Sequence, residues 1–73
     1  MTKLSPTSAR ECLRVLQQIG FVIDRQAGSH ITLIRDNPPA RVTVPNHKEL
    51  KVGILRRIIR DAGLTVEEFV ELL

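Results

Sequence analysis

Apolar and polar residues alternate along this chain with two periods, and the switch between them marks out its elements. Near the start, Cys12, Leu16 and Ile19 fall on one helical face with Ala9 and Leu13 beside them. Two N-termini suit that helix. Ser5-Pro6 offers an N-cap followed by proline at the first helical position, and Ser8 with Glu11 offers a capping-box pattern. Either way the helix runs to about Ile19, and Gly20 stands where a C′ glycine belongs. Arg10, Arg14 and Gln18 lie off the stripe and read as a solvated face. From there the period shortens to two. Phe21 to Arg25 predicts a strand with Phe21 and Ile23 inward, and Gln26-Ala27-Gly28 a turn. His30 to Arg35 predicts a second strand, Asp36-Asn37-Pro38-Pro39 a turn, and Arg41 to Val44 a third strand closed by Pro45. Short loops between the strands favour an antiparallel meander. The helical period then returns. Val52, Leu55, Ile58, Ile59 and Ala62 make the stripe of a helix from about Lys51 to Ala62, with Arg56, Arg57 and Arg60 off it. Gly53 belongs in its first turn, at a point of close approach, and Gly63 ends it. Thr65 with Glu68 forms a capping box for a short last helix bearing Val66, Phe69, Val70 and Leu73.

The expected fold is α+β, in the order α-β-β-β-α with a short extra C-terminal helix. The helices cover one face of a three-stranded antiparallel sheet and the other face is open. This is the topology of the double-stranded-RNA-binding domain. With 73 residues, 42% of them hydrophobic, one domain over 1–73 with a thin core is expected. No apolar run is long enough to cross a membrane, and the start lacks the apolar core of a signal peptide, so a cytoplasmic protein is the simplest reading. Cys12 is the only cysteine, which excludes an internal disulfide and a cysteine-based zinc site; its place in the apolar stripe makes it a core residue. The net charge is +3, but residues 65–73 hold three acids and no bases, so residues 1–64 carry 11 bases against 5 acids. An excess of that kind suits a polyanion.

Chemistry concentrates in two stretches. Gly28-Ser29-His30 opens the second strand, and Val44-Pro45-Asn46-His47-Lys48-Glu49-Leu50-Lys51 follows the third. Histidine titrates near neutrality and can exchange protons at physiological pH. Alternation gives His30 two fates. If Ile31, Leu33, Val42 and Val44 face the core, then His30, Thr32, Arg41 and Thr43 face away; a slip of one residue buries His30 instead. A lone strand histidine is more often structural than catalytic, and residue type alone leaves both roles open. Two histidines with no carboxylate at tight ligand spacing make a poor metal site, so no metal and no cofactor are expected.

The two stretches, with Gly20-Phe21, Glu49-Leu50-Lys51, Gly53, Leu55 and Ala62-Gly63-Leu64, resemble the HicA family, also called YcfA-like, of toxin–antitoxin mRNA interferases. The resemblance covers nearly the whole chain, in order. The chain reads Lys51-Val52-Gly53-Ile54-Leu55 where family members commonly read Lys-Pro-Gly-Thr-Leu, so the threonine hydroxyl is missing. The resemblance implies a ribonuclease that needs no metal, a catalytic histidine at His30, mRNA as substrate, and neutralisation by a HicB-type antitoxin, with no membrane partner. Gly28, Ser29, His47, Lys48 and Lys51 are the neighbours expected to hold RNA. RNA carries its own nucleophile, the 2′-hydroxyl, which a histidine can deprotonate while nearby cations stabilise the phosphorane. The alternative is a noncatalytic double-stranded-RNA-binding module of the same fold. A helix-turn-helix reading of residues 59–65 puts an acidic, apolar segment against DNA, which argues against it. Single-strand binding by stacking needs exposed aromatics, and the only two, Phe21 and Phe69, lie on apolar stripes.

Overall fold

The computed structural model describes residues 2–73. Its elements are α1 (Ala9–Gln18), β1 (Val22–Ala27), β2 (His30–Asp36), β3 (Pro39–Pro45), α2 (Val52–Asp61) and α3 (Val66–Leu72). The strands form one antiparallel sheet in the order β1-β2-β3. This is the expected α+β layout, with the short third helix appended.

Of the two N-termini open to α1, the chain uses Ser8. Its Oγ accepts the Glu11 amide at 3.1 Å and donates to the Glu11 carboxylate at 3.2 Å. Ser5-Pro6 is not a helix start, because the next residue is engaged elsewhere: Thr7 exchanges two backbone hydrogen bonds with Leu50, at 2.8 and 3.2 Å. A residue paired as a strand cannot also supply a first helical turn. Gly20 follows the α1 C-cap at φ +99°, and Thr65 and Glu68 form the expected capping box for α3.

The core is the layer between the helices and β2–β3. Leu16, Leu33, Val44, Leu50, Leu55 and Phe69 are all fully enclosed, each burial contributing about 1.5–3 kcal/mol. Ile31, Leu33, Val42 and Val44 point inward, as alternation requires. Cys12 is completely buried in the α1 stripe, and Val15, outside the Cys12–Leu16–Ile19 spacing, is buried with it. Both phenylalanines are core residues.

The first strand departs from expectation. It starts at Val22 and runs to Ala27, so Gln26 and Ala27 extend the ladder and do not turn. Phe21 is buried ahead of it, and Ile23, opposite the inward Leu33, keeps the helix-facing side of the sheet but is 50% exposed. The helices α1 and α2 pack on β3, so the far edge of the sheet is left open and all of β1 is exposed. A shift of register between Ile23 and Arg25 changes the alternation only beyond Ile23, so that Arg25 pairs with the outward Thr32. The third strand is likewise longer than expected, taking in Pro39 opposite Asp36; as an edge strand it tolerates a residue without an amide hydrogen. At the end of β2, Arg35 lies 4.5 Å over the Phe21 ring and donates to the carbonyls of Pro38 at 2.9 Å and Ala62 at 3.4 Å, tying the sheet to the C-terminus of α2.

Candidate functional site

The β1–β2 hairpin positions the first histidine. Ala27 pairs with His30, which leaves Gly28 and Ser29 as a two-residue loop. Gly28 takes φ +60° and Ser29 does not share a positive φ, the pattern of a turn that needs glycine at its first central position. His30 therefore leads β2. Its neighbour Ile31 is 5% exposed and points into the core, so His30 points out and is exposed. Of the two registers that the sequence allowed, the chain adopts the one with an open imidazole.

The second stretch is sewn to the first. His30 stands opposite Pro45 across the β2–β3 ladder, and the Asn46 amide donates to the Ser29 carbonyl at 2.6 Å. Immediately beyond, the His47 amide donates to the Pro45 carbonyl at 2.9 Å, a tight turn that swings the chain off the sheet. The His47 carbonyl then accepts the Ala9 amide at 3.0 Å, and Leu50 pairs with Thr7. Strand register and these few backbone bonds bring Gly28, Ser29, His30, His47 and Lys48 to one end of the sheet. Lys51 is the exposed N-cap of α2 and makes no side-chain capping bond. Gly53 lies in the first turn of that helix, and a Cβ there would meet nothing within 4 Å. The close approach expected at Gly53 is therefore not made by any part of the described chain.

Two exposed histidines and a lysine brought to one end of a sheet can serve proton transfer next to an anion. Comparison with protein-family models matches residues 9–64 to the family described as HicA toxin of bacterial toxin-antitoxin. The chain belongs to this family. Comparison with curated proteins returns no match. The HicA match runs from the first residue of α1 to Leu64, so it includes both histidine stretches and stops short of α3. Membership makes the chain a toxin of a toxin–antitoxin system and implies an antitoxin partner. Among the described residues of this HicA protein, no helix is long and apolar enough to cross a membrane, and no three His, Cys, Asp or Glu residues are grouped to hold a metal ion.

The fold also brings residues from α1 to the second histidine. A cleft of about 300 Å³ opens beside the His47 loop, lined by Ser8, Arg10, Asn46, His47 and Lys48. Helical period puts Arg10 on a solvated face. It does face solvent, yet the Ala9–His47 hydrogen bond holds that first turn of α1 against the loop carrying the second histidine. Helical periodicity ranks residues by face alone; nothing local in the sequence announces which loop will lie against the helix end. Cys12, by contrast, stays apart from this chemistry. Burial pushes its thiol from an ordinary 9.0 up to about 12, so it is neither a nucleophile nor a ligand at neutral pH.

Proposed function

We infer that this HicA toxin is an endoribonuclease that cuts mRNA, with His30 as the group that activates the RNA. The observation carrying the reading is the exposed His30, joined through the Ser29–Asn46 hydrogen bond to the loop of His47 and Lys48, in a chain of the HicA family. His30 removes the proton of a ribose 2′-hydroxyl. The freed oxygen attacks the adjacent phosphorus, the bond to the 5′-oxygen breaks, and that oxygen takes up a proton. The products end in a 2′,3′-cyclic phosphate and a 5′-hydroxyl, and no metal takes part. Lys48 and Lys51 offset the charge that grows on the phosphorane. Gly28 and Ser29, at the tip of the hairpin, let the RNA backbone come close to His30. His47 steers a phosphate or the loop itself and adds less to the proton transfers. An mRNA substrate sets the working protein in the cytoplasm, where a HicB-type antitoxin neutralises it by covering the same end of the sheet.

The test compares His30→Ala and His47→Ala with the wild type. His30→Ala is expected to keep the circular dichroism spectrum of the wild type and to lose RNA cleavage and growth toxicity. His47→Ala is expected to slow cleavage less than His30→Ala does. With a lone general base, the wild-type rate rises with pH along one limb. A His30→Ala variant that cuts at the wild-type rate removes the catalytic reading and leaves a noncatalytic RNA binder. A bell-shaped profile, with His47→Ala as inactive as His30→Ala, makes the two histidines an acid–base pair.

A further inference from the structure

We propose that the cleft between the first turn of α1 and the His47 loop is a phosphate subsite, in which Arg10 holds the RNA backbone at a phosphodiester neighbouring the one cut at His30. The inference rests on the ribonuclease reading and extends it to a residue outside the two histidine stretches.

Three observations carry it. The first is the lining. Arg10, Asn46, His47 and Lys48 contribute two permanent cations, an imidazole and a side-chain amide, and no large apolar side chain; the Ser8 hydroxyl, also in the wall, is committed to Glu11. A protein-binding pocket draws its energy from a buried apolar or aromatic anchor, which this cleft does not provide; a set of cationic and polar donors matches a phosphate. The second is rigidity. The walls belong to segments far apart in sequence, but the Ala9–His47 bond at 3.0 Å and the paired Thr7–Leu50 bonds lock them together. A site assembled before the ligand arrives loses less in ordering on binding. The third is continuity. Asn46 lines the cleft while its backbone amide bonds Ser29, the residue before His30, so the cleft and the His30 hairpin are joined by a single backbone hydrogen bond. Arg10 also borders a separate groove between α1 and β1, lined by Leu13, Arg14, Gln17 and Ile23. It thus stands on the ridge between the two, within reach of a strand entering from either side. Glu11 marks the limit of the subsite: its carboxylate is turned to the Ser8 hydroxyl and it lines the groove, not the cleft.

The experiment measures binding of a 2′-O-methyl RNA oligomer, which keeps its phosphates but has no free 2′-hydroxyl to attack. Arg10→Ala is expected to weaken binding about tenfold and to lower the slope of log affinity against log salt by roughly 0.7. Arg10→Lys should recover part of the affinity but not the two-pronged contact of a guanidinium. Arg14→Ala removes the same charge one turn along, on the groove side only, and should change affinity less than twofold. Equal losses for Arg10→Ala and Arg14→Ala reduce the effect to general surface charge and overturn the subsite. So does an Arg10→Ala variant that binds the oligomer normally and loses affinity only for the antitoxin, since the cleft is then a protein contact. The two readings fail separately. A wild type that binds the oligomer through Arg10 yet cuts no RNA upholds the cleft and sinks the ribonuclease.

Discussion

Single side chains in this protein are assigned by what surrounds them more than by what they are. Cys12 and His30 are the two residue types most often enlisted as reactive groups, and the fold treats them oppositely. His30 is placed in water at the head of a strand, whereas Cys12 has no exposed surface. Its thiol, raised to about 12, should resist alkylation in the native protein at pH 8 and react only on unfolding. The same shift makes a statement about stability. The folded state holds the thiol proton more tightly than the unfolded chain, so its contribution is intact below about pH 9 and is lost as pH rises toward 12. Stability should therefore fall across that window as the unfolded chain gives up a proton that the folded chain keeps. Cys12→Ala, although less stable at neutral pH for want of the buried sulfur, should show a shallower alkaline decline in urea denaturation. Equal slopes for the two proteins would show that Cys12 does not titrate as its burial requires.

At the scale of elements, two glycines illustrate how backbone geometry decides the sign of a substitution. Gly28 and Gly53 both have open space where a Cβ would stand. Steric crowding is thus absent at each, and only the backbone differs. Gly28 sits at φ +60° in the hairpin that delivers His30, where a side chain is strained. Gly28→Ala should cost about 1–2 kcal/mol, with Gly28→Asn losing less because asparagine tolerates that region. Gly53 lies in the first turn of α2 without a positive φ, so Gly53→Ala should be neutral or should stabilise by up to about 1 kcal/mol. Chemical denaturation midpoints of the two variants, moving in opposite directions, are the check. The elements with free ends behave alike in one further respect: β1 and β3 are both edges, and each strays from simple alternation or propensity, β1 through its register shift and β3 through its terminal prolines.

The whole molecule is a thin slab, 34 × 27 × 16 Å, with its charge divided along the chain. Glu67, Glu68 and Glu71 all lie in α3, while the bases lie in residues 1–64. His30, His47 and Lys48 share one end of the sheet and Arg10 lines a cleft there with Lys48, so a partner covering that end meets cations. The antitoxin implied by HicA membership should associate quickly at low salt and more slowly as salt rises, with Lys48→Glu and Lys51→Glu acting mainly on the association rate. Stopped-flow mixing with the product of the adjacent open reading frame measures this. An association rate independent of salt, or a complex in which His30 stays open to imidazole-specific modification, means that the antitoxin docks elsewhere.

Much of this was legible in the amino-acid sequence, because the relevant physics is local. Capping at Ser8 and Thr65, the glycines after α1 and α2, and the inward set Ile31, Leu33, Val42 and Val44 all follow from side-chain chemistry and period within a few residues. Family-like motifs at Gly28-Ser29-His30 and Pro45-Asn46-His47 are local too, and they pointed to the family that the chain belongs to. Other features depend on what lies across from a residue, and no local rule carries that. Thr7 was free to extend α1 until Leu50 claimed its backbone, and Ile23 alternates correctly but faces an open groove beside α1 that leaves it half exposed. Arg10 reads as ordinary surface until the Ala9–His47 bond draws the helix end to the second histidine. Periodicity determines which face of an element is apolar; only the folded chain determines which face of another element it meets, because that choice is settled by the simultaneous packing of all six.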